Sequence, residues 1–360
     1  MRAAVMHQVD QPFTIETVQP ADPGPTDITV ALEATGVCHS DLSAVRGFLG
    51  LDCPAILGHE AAGNVVVVGR EVTGLRVGDR VVASLVPVCG KCYWCVNGQT
   101  HLCGETFAVR GTTRGTLASG ESVTAMLGLG AFADHMTIDE RLAVRIESDL
   151  PPEQLALIGC GIATGAGAAM FTARVRPGSS VAVIGCGGVG QSVIQGARIA
   201  GASVIIAIDP VQLKRDIGAA NGATHFVDPT ADDVAEAVRA ATRGRGVDYA
   251  FEVVGTPSTV TTAYECARRG GTVITVGIPA PQARLDFPAT DFFRAEKHIV
   301  GSYYGSTQVR ADFQRFADLI ATGRFDAGSL ITHRYSLNQL GDAFADLESG
   351  QSIRGVIKFA

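Results

Sequence analysis

The stretch Ser180-Val-Ala-Val-Ile-Gly185-Cys-Gly187-Gly-Val-Gly190, running on to Ile206-Ala-Ile-Asp209, decides the fold. Val181 to Ile184 is a short apolar run, as expected of a strand buried on both faces. Gly185, Gly187 and Gly190 then fit G-x-G-x-x-G. The first glycine permits a sharp turn, and the second lets backbone N–H groups approach a pyrophosphate. The third lets the following helix pack close to the strand. That helix, about 189–200, turns its positive end toward the phosphates. Asp209 stands nineteen residues after Gly190, at the tip of a second strand. A carboxylate there accepts hydrogen bonds from the adenosine ribose hydroxyls and repels a 2′-phosphate, which favours NAD over NADP. A glycine turn by itself can bind nothing. The strand before it, the helix after it and the acid at this distance argue together for a dinucleotide site built on Gly185, Gly187, Gly188, Val189, Gly190 and Asp209.

Outward from this unit, strands and helices alternate from about 155 to 301. Helices are predicted near 211–221, 232–242 and 258–268. Strands are predicted near His225, at 249–253, 272–276 and 298–301. With the opening pair this makes about six strands, the count of a doubly wound parallel sheet. Residues 1–150 read as β-rich, with short alternating segments and Pro/Gly turns between them. The stretch 112–130 is rich in Gly, Thr and Ser and reads as a long surface loop. After 301 come two amphipathic helices, near 311–322 and 337–349, and a closing strand, 353–359. The sheet needs no seventh strand, so this tail is expected to return to the first domain.

Composition narrows the function. The chain has 360 residues, 46% of them hydrophobic and 18% charged, enough for two domains with sizeable cores. The formal net charge of −7 argues against binding nucleic acid or an anionic membrane surface. No apolar run reaches membrane-spanning length, and the N-terminus lacks the apolar core of a signal peptide. A cytoplasmic protein is expected. Nine cysteines are present, four of them crowded as Cys89, Cys92, Cys95 and Cys103. Without a secretion signal, disulfides explain them poorly. The spacing C-x2-C-x2-C-x7-C lets one loop wrap a zinc ion with four thiolates, leaving no open position, so the site reads as structural. A nucleic-acid-binding zinc ribbon shares such spacing, but the acidic charge argues against it.

Three further pieces carry possible ligands: Gly36-Val-Cys38-His39-Ser40-Asp41, Gly58-His59-Glu60 and Gly159-Cys160-Gly161. Singly, each is bland, because lone cysteines and histidines are usually core residues. His59-Glu60 is not a zincin motif, since position 63 is Gly, and the H-x-E deaminase pattern is absent. Together with the cysteine lobe, the glycine turn, Asp209 and Ser352-Ile-Arg354, these pieces resemble the zinc-dependent medium-chain alcohol dehydrogenases, over nearly the whole chain. The resemblance implies a GroES-like β-rich catalytic domain (1–161 and 303–360, with the zinc lobe at about 88–104) and a Rossmann NAD-binding domain (162–302). It implies two zinc ions per chain, the catalytic one on Cys38, His59 and Cys160 with its fourth position open to water or alcohol.

Further roles follow from the same resemblance. Ser40 would take the alcohol proton, and Asp41 would accept the free ring N–H of His59 and fix its tautomer. Glu60 would stand behind the zinc, with His39 near the cofactor phosphates, Lys214 near the adenosine ribose and Arg354 on the pyrophosphate. Leu85 and Phe132 would line an apolar substrate cleft. Ser43 departs from the pattern, where some members carry a histidine that ends the proton relay.

The expected activity is NAD-linked interconversion of medium-sized or apolar primary or secondary alcohols with aldehydes or ketones, in a homodimer or homotetramer joined near 298–301. Three alternatives remain at this stage. One is a thiol-dependent formaldehyde dehydrogenase, with Arg110 and Arg114 attracting the anionic adduct. Another is a nicotinoprotein that keeps its NAD and uses an external acceptor. The last is a non-catalytic protein binding zinc and dinucleotide.

Overall fold

The computed structural model describes residues 1–109 and 112–359. It divides into two compact units, Met1–Gly161 with Gln308–Gly323 and Leu330–Ala360, and Ile162–Thr307 with Arg324–Ser329.

The first unit is built on two β-sheets. Its longest strand, Asp27–Val37, buries every second residue over its first half, the period of a strand with one face on the core. Antiparallel neighbours flank it. Gly36 lies opposite Glu60 on the strand Glu60–Val68, and Gly355 lies opposite Val37 on Arg354–Lys358. The end of the chain therefore returns to this unit, as the tail's pattern predicts, and its register delivers Arg354 beside Glu60. The stretch 112–130 is not a surface loop. It forms strands Thr113–Thr116 and Ser122–Ala125 in the second sheet, and Val123, Ala125, Met126 and Leu129 are at most 1% exposed. Gly, Thr and Ser dominate its composition and hide a short alternation that the core uses.

The second unit holds one parallel sheet of six strands. The order is His225–Val227, Val204–Ile208, Ser180–Ile184, Val247–Glu252, Ala267–Thr275 and His298–Gly301. This is the doubly wound order 3-2-1-4-5-6, with the topological switch beside Ser180–Ile184. Val181 and Val183 pack on one face against Val193, Ile194 and Ala197 of the helix Gly188–Ile199. Ala182 and Ile184 pack on the other against Val238 and Ala263. That two-sided burial is why the run is apolar at every position.

Residues 303–307 and 324–329 belong to this unit, where the sequence reading put them in the first. Hydrogen bonds explain the second segment: the Gln195 side chain donates to the Asp326 carbonyl at 2.9 Å and accepts the Asp326 N–H at 2.7 Å. For the first, Gly305 lies so close to Gly167 that a Cβ on Gly167 would come 2.7 Å from the Gly305 carbonyl oxygen. Among the described residues no single helix is long and apolar enough to cross a membrane.

Candidate metal and dinucleotide sites

Cys38 leaves the strand Asp27–Val37 and caps the helix His39–Val45. Asp41, in that helix's first turn, gathers the pieces of the site. One carboxylate oxygen accepts the Cys38 N–H at 2.9 Å; the other accepts the Gly58 N–H at 3.1 Å and lies 2.9 Å from His59 Nδ1. Both Asp41 and His59 are fully buried. With Nδ1 so engaged, His59 Nε2 is left buried and without a hydrogen-bond partner among the described residues. Buried polar atoms are rarely left that way. Ligand atoms of Cys38, His59, Glu60 and Cys160 all lie within 4.8 Å of one another. Two soft sulfurs and an imidazole nitrogen converging on one point fit a zinc ion.

The two thiols share charge. A hydrogen bond from Cys160 lowers Cys38 well below the usual thiol range, aided by Arg354 and His59 against the effect of burial. The same bond and burial push Cys160 up. Behind them Glu60 accepts the Gly161 N–H at 3.1 Å and stands 3.4 Å from Arg354 Nη2. Burial pushes the Glu60 carboxyl up to about 7, with Arg354 pulling the other way. Arg354 also donates to the Val37 carbonyl at 3.1 Å. The fit requires two glycines: a Cβ on Gly36 would fall 2.1 Å from Glu60 Oε2, and one on Gly161 2.7 Å from Arg354 Nη2. The resemblance assigned Arg354 to the pyrophosphate. Its side chain is only 4% exposed, and the contacts seen are with Glu60 and Val37.

Ser40 is half-buried, its hydroxyl 3.8 Å from Cys38 Sγ, and His39 beside it is exposed. Leu85 is half-buried against the core of the first unit. Phe132 is not a cleft residue. It is fully buried, its ring edge-on to Phe13 at 6.4 Å and to Phe344 at 6.1 Å. Arg114 is likewise not a free loop cation, because it is mostly buried and pairs with Asp27 at 3.3 Å. Arg110 lies outside the described residues.

The crowded cysteines form a second cluster, with the sulfurs of Cys89, Cys92, Cys95 and Cys103 within 4.8 Å. Backbone N–H groups already point at sulfur, Cys92 at Cys89 Sγ and Gly104 at Cys92 Sγ, each at 3.4 Å. The Gly104 N–H leads in pulling the Cys92 thiol down to about 6. Such N–H···S bonds favour thiolates, the form that binds metal. Four sulfurs and no other donor make a closed set.

The glycine turn divides its labour as its motif predicts. Gly185 has φ +90°, and a Cβ there would lie 2.7 Å from Val254 Cγ2. A Cβ on Gly190 would lie 1.9 Å from the Gly185 carbonyl oxygen, so this glycine lets helix and strand approach. A Cβ on Gly187 would meet nothing within 4 Å, so nothing in the chain itself demands glycine there. Gly187 also caps the helix Gly188–Ile199 without a side-chain bond, leaving first-turn N–H groups for a ligand. Asp209 is 4% exposed, its carboxylate accepting the N–H of Cys186 at 2.8 Å and of Val211 at 2.9 Å. Lys214 is half-buried on the helix Gln212–Asn221. Arg215, which the sequence did not single out, donates to the Asp209 carbonyl at 2.5 Å and pairs with Asp228 at 3.0 Å. Its place one residue beyond Lys214 was the only available signal.

Comparison with known proteins agrees with this construction. Residues 24–148 match the alcohol dehydrogenase GroES-like domain, and residues 188–322 match the zinc-binding dehydrogenase family. The chain is 36% identical to an NDMA-dependent alcohol dehydrogenase of Amycolatopsis methanolica, over 99% of this chain and 98% of that protein. It is 35% identical to putative alcohol dehydrogenase D of Mycobacterium tuberculosis, with the same coverage. Among solved structures, the benzyl alcohol dehydrogenase of Acinetobacter calcoaceticus superposes with a TM-score of 0.93 at 31% identity, over 100% of this chain and 99% of that one. An alcohol dehydrogenase zinc-binding domain protein from Burkholderia ambifaria gives 0.95 at 34%, over 100% and 98%. Fold and site define a two-domain oxidoreductase with a GroES-like unit and a dinucleotide-binding unit. The chain belongs to the zinc-dependent medium-chain alcohol dehydrogenase family.

Proposed function

We propose that the protein oxidises primary or secondary alcohols to aldehydes or ketones with NAD as hydride acceptor and zinc as Lewis acid, or runs the reverse reaction. The observation that carries this is the convergence of Cys38, Cys160 and the unpartnered Nε2 of His59 in one buried place. A zinc ion held there supplies the Lewis acidity that lowers the pKa of a bound hydroxyl, and a second ion on the four-cysteine lobe is structural. NAD, held at the glycine turn by Gly187, Gly188, Val189, Asp209 and Lys214, supplies the acceptor carbon.

The chain's own residues handle position and protons. Asp41 holds His59 by Nδ1, so that Nε2 faces the sulfurs. The Ser40 hydroxyl, 3.8 Å from Cys38 Sγ, takes the proton that the alcohol loses. As it does so, Ser40 gives up its own hydroxyl proton to His39 or to solvent, because Ser43 offers no titratable group to end the relay. Overall the alcohol would give up one proton and one hydride and become the carbonyl compound, the dinucleotide held at the glycine turn supplying the hydride acceptor.

The test measures zinc content and NADH formation with benzyl alcohol, an aliphatic alcohol series, and formaldehyde with and without a thiol. Benzyl alcohol leads because of the benzyl alcohol dehydrogenase relative. Turnover of alcohols with about two zinc ions per chain is expected. Zinc-loaded, NAD-binding protein that oxidises none of these alcohols would overturn the reading. Activity only with thiol would replace it by the adduct reading, which loses a recruiting cation now that Arg114 is paired with Asp27.

A second reading is favoured by the 36% identical relative whose name marks NDMA dependence. In it, NAD stays bound and an external acceptor reoxidises it. Denaturing freshly purified protein and assaying the supernatant separates the two readings. Stoichiometric NAD released, with turnover only on adding an artificial acceptor, selects the second.

A further inference from the structure

Glu252 has no part in the chemistry above, yet two loops hang from it. It ends the strand Val247–Glu252, in register beside Ile184, which directly precedes Gly185. It is fully buried. A buried carboxylate is costly unless its oxygens are hydrogen-bonded. Here Oε1 alone accepts three bonds: the N–H of Val254 at 2.8 Å, the N–H of Gly255 at 2.7 Å and the Thr259 hydroxyl at 2.8 Å. The main-chain carbonyl of the same residue accepts the N–H of Val276 at 2.8 Å and of Gly277 at 3.1 Å. One residue thus gathers both loops at the carboxyl end of the parallel sheet, the edge where ligands bind in open α/β folds.

These bonds are not needed to cap the next helix. Thr256 and Thr259 already form a reciprocal capping box for Pro257–Cys266. What the bonds do set is the position of Val254 and Gly255, and there the packing has no slack. A Cβ on Gly185 would lie 2.7 Å from Val254 Cγ2, one on Gly255 would lie 2.5 Å from the Ile278 carbonyl oxygen, and one on Gly277 would lie 2.2 Å from Gly255 N. A shift of the loop is felt directly at the first glycine of the dinucleotide turn. Val254 is 49% exposed and Ile278 71% exposed, so each loop also presents an apolar side chain at that edge. Oε2 is buried with no hydrogen-bond partner among the described residues. A neutral amide could supply the Oε1 bonds, so the carboxylate adds stronger, charge-assisted bonds that hold the loop still, while one of its oxygens stays unpaired.

We propose that Glu252 is a positioning residue for the dinucleotide: its carboxylate fixes the loop 253–256 against the glycine turn and so sets cofactor affinity. The proposal rests on the NAD reading. The test is calorimetric titration of the full-length zinc-loaded protein with NAD, without substrate, alongside kcat and the KM for NAD. Glu252→Ala is expected to weaken NAD about tenfold or more, the size of losing charge-assisted bonds, with zinc content unchanged and kcat at saturating NAD within about threefold. Glu252→Gln keeps the Oε1 acceptor but loses the charge, and is expected to fall between the unaltered protein and Glu252→Ala, about two- to fivefold weaker for NAD. Thr259→Val removes one of the three bonds and is expected to cost roughly two- to fivefold, which keeps the test open if Glu252→Ala does not fold. Unchanged NAD affinity in Glu252→Ala or Thr259→Val, while the unaltered protein binds NAD, overturns this inference alone. So does a fall in kcat with the KM for NAD unchanged. Failure of the unaltered protein to bind added NAD, with no NAD released when it is denatured, overturns the NAD reading and this inference with it.

Discussion

Asp41 ties together two segments distant in sequence, 38–41 and 58–59, with one carboxylate, accepting from the Cys38 and Gly58 N–H groups and facing His59 Nδ1. An amide in its place can keep only part of this set, because its nitrogen must face a donor. Asp41→Asn is therefore expected to weaken zinc at the Cys38/His59/Cys160 site by about 10–100-fold, while the four-cysteine lobe keeps its ion. Metal analysis after dialysis against a graded chelator checks this, and unchanged retention of both ions would refute it. Asp209 makes a comparable prediction on the cofactor side. Asp209→Gly is expected to weaken NAD about tenfold and to narrow the gap to NADP. Part of that loss comes from the turn itself, because the Cys186 and Val211 N–H groups lose their acceptor. Equal NAD affinity in a binding titration would contradict the role. At this scale Cys38, His59 and Asp41 were readable only through the family resemblance, because singly each is a residue type that a core also uses, and their convergence needs the folded chain. The sequence misled at Phe132, where an aromatic suits a cleft and a core equally well, and the partners that decide, Phe13 and Phe344, are far away in the chain.

Among the elements, the doubly wound unit was legible from its opening strands, apolar runs closed by glycine or an acid, as Ser180–Ile184 is by Gly185 and Val204–Ile208 by Asp209. The stretch 112–130 was not, because a four-residue strand such as Ser122–Ala125 offers too short an alternation to stand out from Gly, Thr and Ser. The start of the strand Val247–Glu252 carries a testable cross-link. Asp248 accepts the Ser180 N–H and hydroxyl, each at 2.8 Å, and pairs with Arg268 at 2.7 Å. Burial pushes its carboxyl up, but the Ser180 N–H and Arg268 outweigh this and hold it below the usual range. A folded-state pKa below the unfolded one gives stability that is present above the unfolded value, about 3.9, and is lost as pH falls through the folded one. Asp248→Ala is expected to cost about 1–3 kcal/mol at neutral pH, mostly through the Ser180 bonds since Arg268 is well exposed. The difference from the unaltered protein should shrink below about pH 4. Urea unfolding at neutral and acid pH checks this; a gap that widened in acid would be the wrong sign.

For the whole molecule, the decisive surface lies at the last strand of the parallel sheet. His298–Gly301 pairs with Ala267–Thr275 on one side and with no other strand among the described residues. An unpaired edge offers a row of N–H and C=O groups to another chain. Apolar side chains surround it: Phe293 is 83% exposed, and Leu285, Phe292, Val300 and Tyr303 lie between 37% and 48%. The helix Ala289–Ala295 buries none of its residues, although it carries Phe292 and Phe293. Phe292 of this helix stacks on Tyr264 at 6.5 Å, but Phe293 has most of its surface in solvent, and exposed apolar side chains gathered in this way mark interaction sites. We propose that a second copy pairs with this edge about a twofold axis, extending the sheet across the dimer, because closed symmetric pairs are the commonest assembly. Sedimentation equilibrium at micromolar concentration is expected to give a dimer or a multiple of it. Phe293→Glu with Val300→Lys, both on exposed positions, is expected to yield monomer with both metal clusters loaded. A monomeric unaltered protein would refute the edge pairing, and so would a double variant that stays fully dimeric.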